Sequence, residues 1–269
     1  MRASRLPADG FIEVRGARLE FKYSQRSESD ETALVFLHEG LGCVDLWRDF
    51  PHQVADATGV SCFAYSRMGY GRSDPTPLPR SASFMHDEAL LVLPQIMGFC
   101  GFRKIIYVAH SDGASIALIN AAAAAPDALA GMVLMAPHVF VEPETLRGIE
   151  IAARTYRETA LRQRLLAYHG ERVDGAFWGW NQIWRDASFQ NWNLCDLVPS
   201  IAVPTLLIQG SDDPYGTLAQ LDAIESGMCA PVQRVVLDDC GHNPYRDKSV
   251  ETLAHCQAFI TRTLGLQSS

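Results

Sequence analysis

Residue types that could carry out covalent acyl transfer occur in one order along this chain, each where an apolar run ends. Ser111 lies in Tyr107-Val-Ala-His-Ser-Asp-Gly-Ala-Ser115, where an apolar stretch gives way at once to small residues. Ala109 and Gly113, two before and two after it, are small enough for a sharp strand-to-helix turn. The pattern is that of a nucleophile elbow with Ala in place of the first Gly. A serine there would stand at a helix N-terminus, where main-chain N–H groups favour developing negative charge. Taken alone, the segment fits an ordinary turn with a Ser cap equally well. A serine hydroxyl near neutral pH needs a base, and the base needs an orienting acid. Leu206-Leu-Ile-Gln-Gly-Ser-Asp-Asp-Pro-Tyr215 ends an apolar run in Asp212 and Asp213, and Val235-Val-Leu-Asp-Asp-Cys-Gly-His-Asn-Pro244 ends another in His242.

Such residues need strands to carry them. An alternating pair, Phe11–Val14 and Ala17–Tyr23, reads as a hairpin across Arg15-Gly16. Short apolar runs at Ala33–Leu37, Val60–Tyr65, Lys104–Ala109, Gly131–Met135, Thr205–Gln209 and Gln233–Leu237 suit strands buried on both faces. Helical spacing between them covers Ser83–Met97, with Pro94 expected to kink or shorten its last turn, then Gly113–Ala125, Leu218–Met228 and Ser249–Leu264. Strands alternating with helices predict an α/β architecture with right-handed crossovers. Between Met135 and Thr205 the rhythm breaks, and helical patterns at Glu144–Tyr168 and Gly175–Arg185 predict an insertion over one end of the sheet.

Composition narrows the class. The 269 residues carry 31 acidic and 23 basic side chains, a net −8 without a basic run, which argues against nucleic acid as a partner. Apolar stretches fall far short of the ~20 residues that span a bilayer. The opening residues lack the apolar segment of a secretory signal. Seven scattered cysteines without a C-x-x-C pair read as reduced thiols, so a cytoplasmic location without membrane association is expected.

These segments, in this order, resemble the α/β-hydrolase fold over roughly residues 10–265. The resemblance implies a mostly parallel eight-stranded sheet flanked by helices, with core residues 1–137 and 201–269 and a helical cap at 138–200. The family's acid follows Gly by three positions, which selects Asp213 after Gly210 and leaves Asp212 as the alternative. Its Gly-His-x-Pro form selects His242. The loop Leu37-His-Glu-Gly-Leu-Gly42 resembles the family's His-Gly-x-x-Gly loop, which implies oxyanion donors at the main-chain N–H groups of Gly40 and Asp112. Glu39 departs from that pattern: either a structural carboxylate bonded to loop amides stands there, or its charge disturbs the oxyanion site unless it points away or pairs with a base. Tyr65-Ser-Arg-Met-Gly-Tyr-Gly-Arg-Ser-Asp74 resembles the family's structural D-x-R-G-x-G-x-S segment, with Ser66 in place of Asp.

Four of the five tryptophans fall in the expected cap: Trp178, Trp180, Trp184 and Trp192. Trp178, Trp180 and Trp184 are candidates for lining an apolar pocket, as are Trp47, His110, His138 and Phe140; the aromatics could equally bind cap to core. Between Arg147 and Arg172 six arginines stand against three glutamates, either a solvated face or a site for an anionic substrate. The implied activity is serine hydrolysis of an ester, thioester or lactone of a small-molecule acyl substrate, without metal or cofactor. A carbon–carbon bond hydrolase and a non-catalytic ligand-binding member of the fold are the alternatives. Oligomeric state is not legible.

Overall fold

The computed structural model describes residues 6–26 and 31–266. Eight strands form one sheet: β1 (Asp9–Val14), β2 (Ala17–Ser24), β3 (Thr32–Leu37), β4 (Ser61–Tyr65), β5 (Lys104–His110), β6 (Leu129–Met135), β7 (Thr205–Gly210) and β8 (Val232–Leu237). Their spatial order is β1-β2-β4-β3-β5-β6-β7-β8, antiparallel through β1, β2 and β4 and parallel from β4 to β8. The hairpin turns on Arg15 (φ 54°) and Gly16 (φ 77°), two left-handed residues that match the strand twist. Alternate residues of the central strands feed two cores. Leu34, Phe36, Ile106 and Val108 pack on one face, and Val35, Leu37, Ile105 and Tyr107 on the other.

The helices are α1 (Phe50–Thr58), α2 (Phe84–Asp87), α3 (Leu93–Cys100), α4 (Asp112–Ile119), α5 (Pro143–Glu158), α6 (Leu161–His169), α7 (Val173–Arg185), α8 (Ala219–Gly227), α9 (Pro244–Asp247) and α10 (Ser249–Leu264). Among them α1 has no counterpart in the sequence reading, although Phe50, Val54 and Ala55 are buried at helical spacing and Gly59 closes it in the left-handed conformation. Pro94 does not end its helix. A π-helical turn, Glu88–Val92, widens the backbone just before α3, which then runs on to Cys100. Gln95 Nε2 donates to the Leu91 carbonyl (2.8 Å).

The single helix expected over Glu144–Tyr168 is broken into α5 and α6. Thr159 leaves the helix with extended backbone (φ −128°, ψ −178°), and its hydroxyl accepts from the Leu161 N–H (3.2 Å), a local bond that competes with helix continuation. Together α5, α6 and α7 stand between β6 and β7. His169 ties them to the core: it accepts from the Gly71 N–H at Nδ1 (3.1 Å), and its Nε2–H donates to the Leu41 carbonyl (3.0 Å). Burial holds this imidazole below its usual pKa. Among the described residues no helix is long and apolar enough to cross a membrane.

Register places Leu37 of β3 beside Ala109 of β5, so the loops after both strands open side by side. The first turn of α4 then presses on β3: a Cβ on Gly113 would lie 2.1 Å from the Leu37 carbonyl oxygen. Main chain cannot yield as a flexible side chain would. Gly113→Ala is therefore expected to cost about 3 kcal/mol or more, read as a lower urea midpoint with an unchanged m-value.

Candidate active site

Ser111 sits between β5 and α4 with φ 53° and ψ −120°, a conformation that an L-residue holds only where its surroundings force it. Its Oγ lies 3.0 Å from His242 Nε2, in the loop between β8 and α9. On the other side of the ring, His242 Nδ1 lies 2.8 Å from both Asp213 carboxylate oxygens. The Tyr215 N–H donates to Asp213 Oδ1 (2.8 Å). Asp212, the alternative acid, is exposed, and its carboxylate accepts from the Ser211 hydroxyl.

Charge follows from this geometry. Burial disfavours the His242 imidazolium, but the Asp213 carboxylate outweighs it and raises the imidazole above its ordinary 6.5. Burial likewise pushes Asp213 up, and His242 pulls it down further, so the carboxyl ends below its usual range. A serine, an imidazole and a carboxylate aligned in this way can pass a proton off the hydroxyl while the resulting cation is held in place.

The loop after β3 has its carbonyls fixed from behind. Arg67 donates to the carbonyl oxygens of His38 and, at 2.9 Å, of Glu39; His38 Nδ1–H also donates to the Glu39 oxygen (2.7 Å). In a trans peptide the C=O and N–H point opposite ways, so the next N–H, that of Gly40, faces away from Arg67. Neither it nor the N–H of Asp112 meets an acceptor among the described residues. The sequence reading gave Arg67 no part in the site. Ser66 stands in for the family's Asp by borrowing a carboxylate: buried Glu20 accepts from the Ser66 hydroxyl (3.0 Å) and the Arg72 N–H (2.9 Å).

Glu39 is turned back under its own loop, towards an imidazole and not towards loop amides. Its Oε2 lies 3.6 Å from His110 Nδ1, and a Cβ on Gly42 would stand 2.5 Å from that oxygen. Burial pushes the carboxyl up; His110, then Arg246 and His38, pull it well below the usual carboxylate range. His110 donates its Nε2–H to the main-chain oxygen of His242 (2.6 Å) and so braces the loop that carries it.

Glu39, Gly40, Ser111, Asp112 and His242 border a cavity of about 240 Å³. Its base holds Ser111, Asp112 and His242; Ile149, Ala152, Leu161 and Leu165 of the inserted helices form an apolar wall. Three of the sequence candidates line it: His138, Trp180 and Trp184. His138 is neutral, with burial and then His242 lowering it to about 3. Trp184 also donates its indole N–H to Asp112 Oδ1 (3.2 Å), and burial raises this carboxyl above its ordinary pKa.

The other four candidates lie outside the cavity. Trp47 is turned into the core on the opposite face of the sheet, packed on Phe36 and Tyr245 with ring centroids 5.4 and 4.9 Å away. His110 sits behind His242, not in front of it. Phe140 pairs its backbone with Asn193 at the base of the insertion. Trp178 is out of phase with Phe177, Trp180 and Trp184 on α7, and packs on Tyr156 beneath Arg157. Most of the arginine-rich stretch faces solvent: Arg147, Arg154 and Arg162 pair with Glu144, Glu150 and Asp174, whereas half-buried Arg172 donates to the Gly71 carbonyl. The sequence reading missed Tyr215, Asn243 and Arg246, which line the cavity close in sequence to Asp213 and His242.

The sequence profile described as the Alpha/beta hydrolase family matches residues 34–255. The chain belongs to that family. A bacterial membrane phospholipase A is similar in structure, at 21% identity and TM-score 0.76 over 95% of this chain and 86% of that one. The enol-lactonase from Burkholderia xenovorans LB400 has 14% identity and TM-score 0.75, over 94% of this chain and 100% of the other. A serine hydrolase involved in carbazole degradation has 13% identity and TM-score 0.71, over 94% and 98%. At these identities the likeness is one of fold. A search of curated protein sequences finds no match.

For an alpha/beta hydrolase with this geometry, Asp213→Asn should lower kcat about 10⁴-fold. The Asp213 carboxylate is the main influence raising His242, so the acid limb of the kcat/KM–pH profile, above 6.5 in the wild type, should move to lower pH. Asp212→Asn should leave both kcat and the limb unchanged.

Proposed function

We propose that this protein is a serine hydrolase that cleaves an ester, thioester or lactone of a small apolar or aromatic acyl group. The observation that carries the reading is the unbroken row Ser111 Oγ, His242 Nε2 and Nδ1, and Asp213, with spacings of 3.0 and 2.8 Å, opening onto an apolar cavity. Ser111 Oγ attacks the acyl carbon as its proton passes to His242 Nε2. The carbonyl oxygen takes the negative charge and receives the N–H groups of Gly40 and Asp112. The tetrahedral adduct collapses, the bond to the leaving group breaks, and that group takes the proton from Nε2. Water, deprotonated by His242, then attacks the acyl-enzyme; the acid leaves and Ser111 regains its proton. Asp213 stays ionised throughout and fixes the ring.

Cavity size supports a small acyl group. A volume of about 240 Å³ lies at the small end of ligand pockets, which suits a short aliphatic chain or a single aromatic ring. A fluorophosphonate should label the wild type on Ser111 and leave Ser111→Ala unmodified; an unlabelled wild type overturns the reading. Across p-nitrophenyl esters, kcat/KM for butyrate or benzoate should exceed that for palmitate by about tenfold or more. A panel that adds lactones, acyl thioesters and a vinylogous 1,5-diketone separates the ester-type substrates from carbon–carbon cleavage.

A further inference from the structure

The inserted helices bring to the cavity one hydrogen-bond donor that no protein group uses. Trp180 and Trp184 both line it, and Trp184 is engaged with Asp112. The indole N–H groups of Trp47 and Trp192 are sealed in the protein without partners. Trp180 differs from all three: its N–H meets no acceptor among the described residues, and it is not sealed.

Its position gives that free N–H a purpose. A Cβ built on Gly40 would lie 2.1 Å from Trp180 Nε1 and 2.3 Å from Cδ1, so the N–H edge of the indole is the part that abuts Gly40. Gly40 therefore has to be glycine to admit the ring. The same residue presents its own N–H away from the Arg67 clamp, and Ser111 and Asp112 share the cavity with it. The other cavity-wall side chains with uncommitted polar atoms gather around His242: the Tyr215 and His138 rings lie 4.8 and 5.8 Å from the imidazole, Asn243 is its chain neighbour, and Arg246 follows in α9.

We propose that the Trp180 indole N–H donates a hydrogen bond to the acyl carbonyl oxygen of the substrate, as a third donor beside the main-chain N–H groups of Gly40 and Asp112. The oxyanion site is then assembled from the loop after β3, the start of α4 and the inserted helix α7. No proton leaves the indole. The bond strengthens as negative charge grows on the oxygen, so it acts on the transition state more than on bound substrate. This role rests on the acyl-transfer reading and names a further residue that touches the reacting atoms.

Two replacements test it. Trp180→Phe keeps an aromatic ring and removes the N–H. Replacement by β-(3-benzothienyl)alanine, introduced at position 180 alone, keeps the bicyclic shape and puts sulfur in place of the N–H. Both should lower kcat on p-nitrophenyl butyrate about 10- to 100-fold, with KM within about threefold. Both should also slow phosphonylation of Ser111, whose P=O oxygen occupies the same place. Trp178→Phe, two positions away on the same helix and outside the cavity, should retain wild-type rates. A benzothienyl variant with wild-type kcat overturns the proposal, as does a rise in KM alone. Labelled wild type with an equally fast benzothienyl variant removes only the third donor; a wild type that resists the fluorophosphonate removes the acyl-transfer reading and this role with it.

Discussion

The contact between the first turn of α4 and the end of β3 constrains the whole site. Gly113 rests against the Leu37 carbonyl with no room for another carbon, so the chain leaving β5 must turn within one residue. That residue is Ser111, held in a left-handed conformation, and the turn leaves its hydroxyl standing clear of the sheet. The same closeness makes the N–H of Asp112 a neighbour of the loop after β3. A longer turn would relieve the backbone and move the Ser111 hydroxyl away from the N–H groups of Gly40 and Asp112.

The remaining polar structure serves to hold that neighbourhood still. Arg67 draws two consecutive carbonyls of the β3 loop to one side, and His38 adds a second bond to one of them. Buried Glu20 secures the segment that carries Arg67, through Ser66 and Arg72. His110 reaches the opposite flank, where it braces the main chain at His242. The inserted helices join this frame through His169 and through Trp184, which reaches the carboxyl of Asp112, next to Ser111. Displacing them would disturb the elbow as well as uncover the cavity.

Much of this was legible in the sequence because local rules govern it. The strands β3 to β7 appear as apolar runs since burial on both faces demands it, and the elbow reads from its small residues. Ser111, Asp213 and His242 are brought together as the motif order suggested, while Asp212 points to solvent. Other elements depended on distant partners. Trp47 looked like a pocket residue by its nearness in sequence to the β3 loop, but a short 3₁₀ turn, Val44–Trp47, carries it to the other face. Trp178 and Trp180 are indistinguishable by composition, and only the phase of α7 separates a rim residue from one that abuts Gly40. Helix α1 was passed over because its apolar stripe is short. The break at Thr159 turns on one hydroxyl accepting from the Leu161 N–H, a choice that spacing cannot show.

Glu39 carries a consequence for how such a loop can change. Its carboxylate occupies the space that a Cβ on Gly42 would need, and its charge faces the ring of His110, on a different strand. Losing the imidazole would remove the nearest partner of this carboxylate and leave Arg246 to hold it, and any larger residue at 42 would push it out of its place. Positions 39, 42 and 110 are therefore tied together: a side chain at 42 would meet both the Glu39 carboxylate and the Cβ of His38, and the one imidazole at 110 serves Glu39 on one edge and the main chain of His242 on the other.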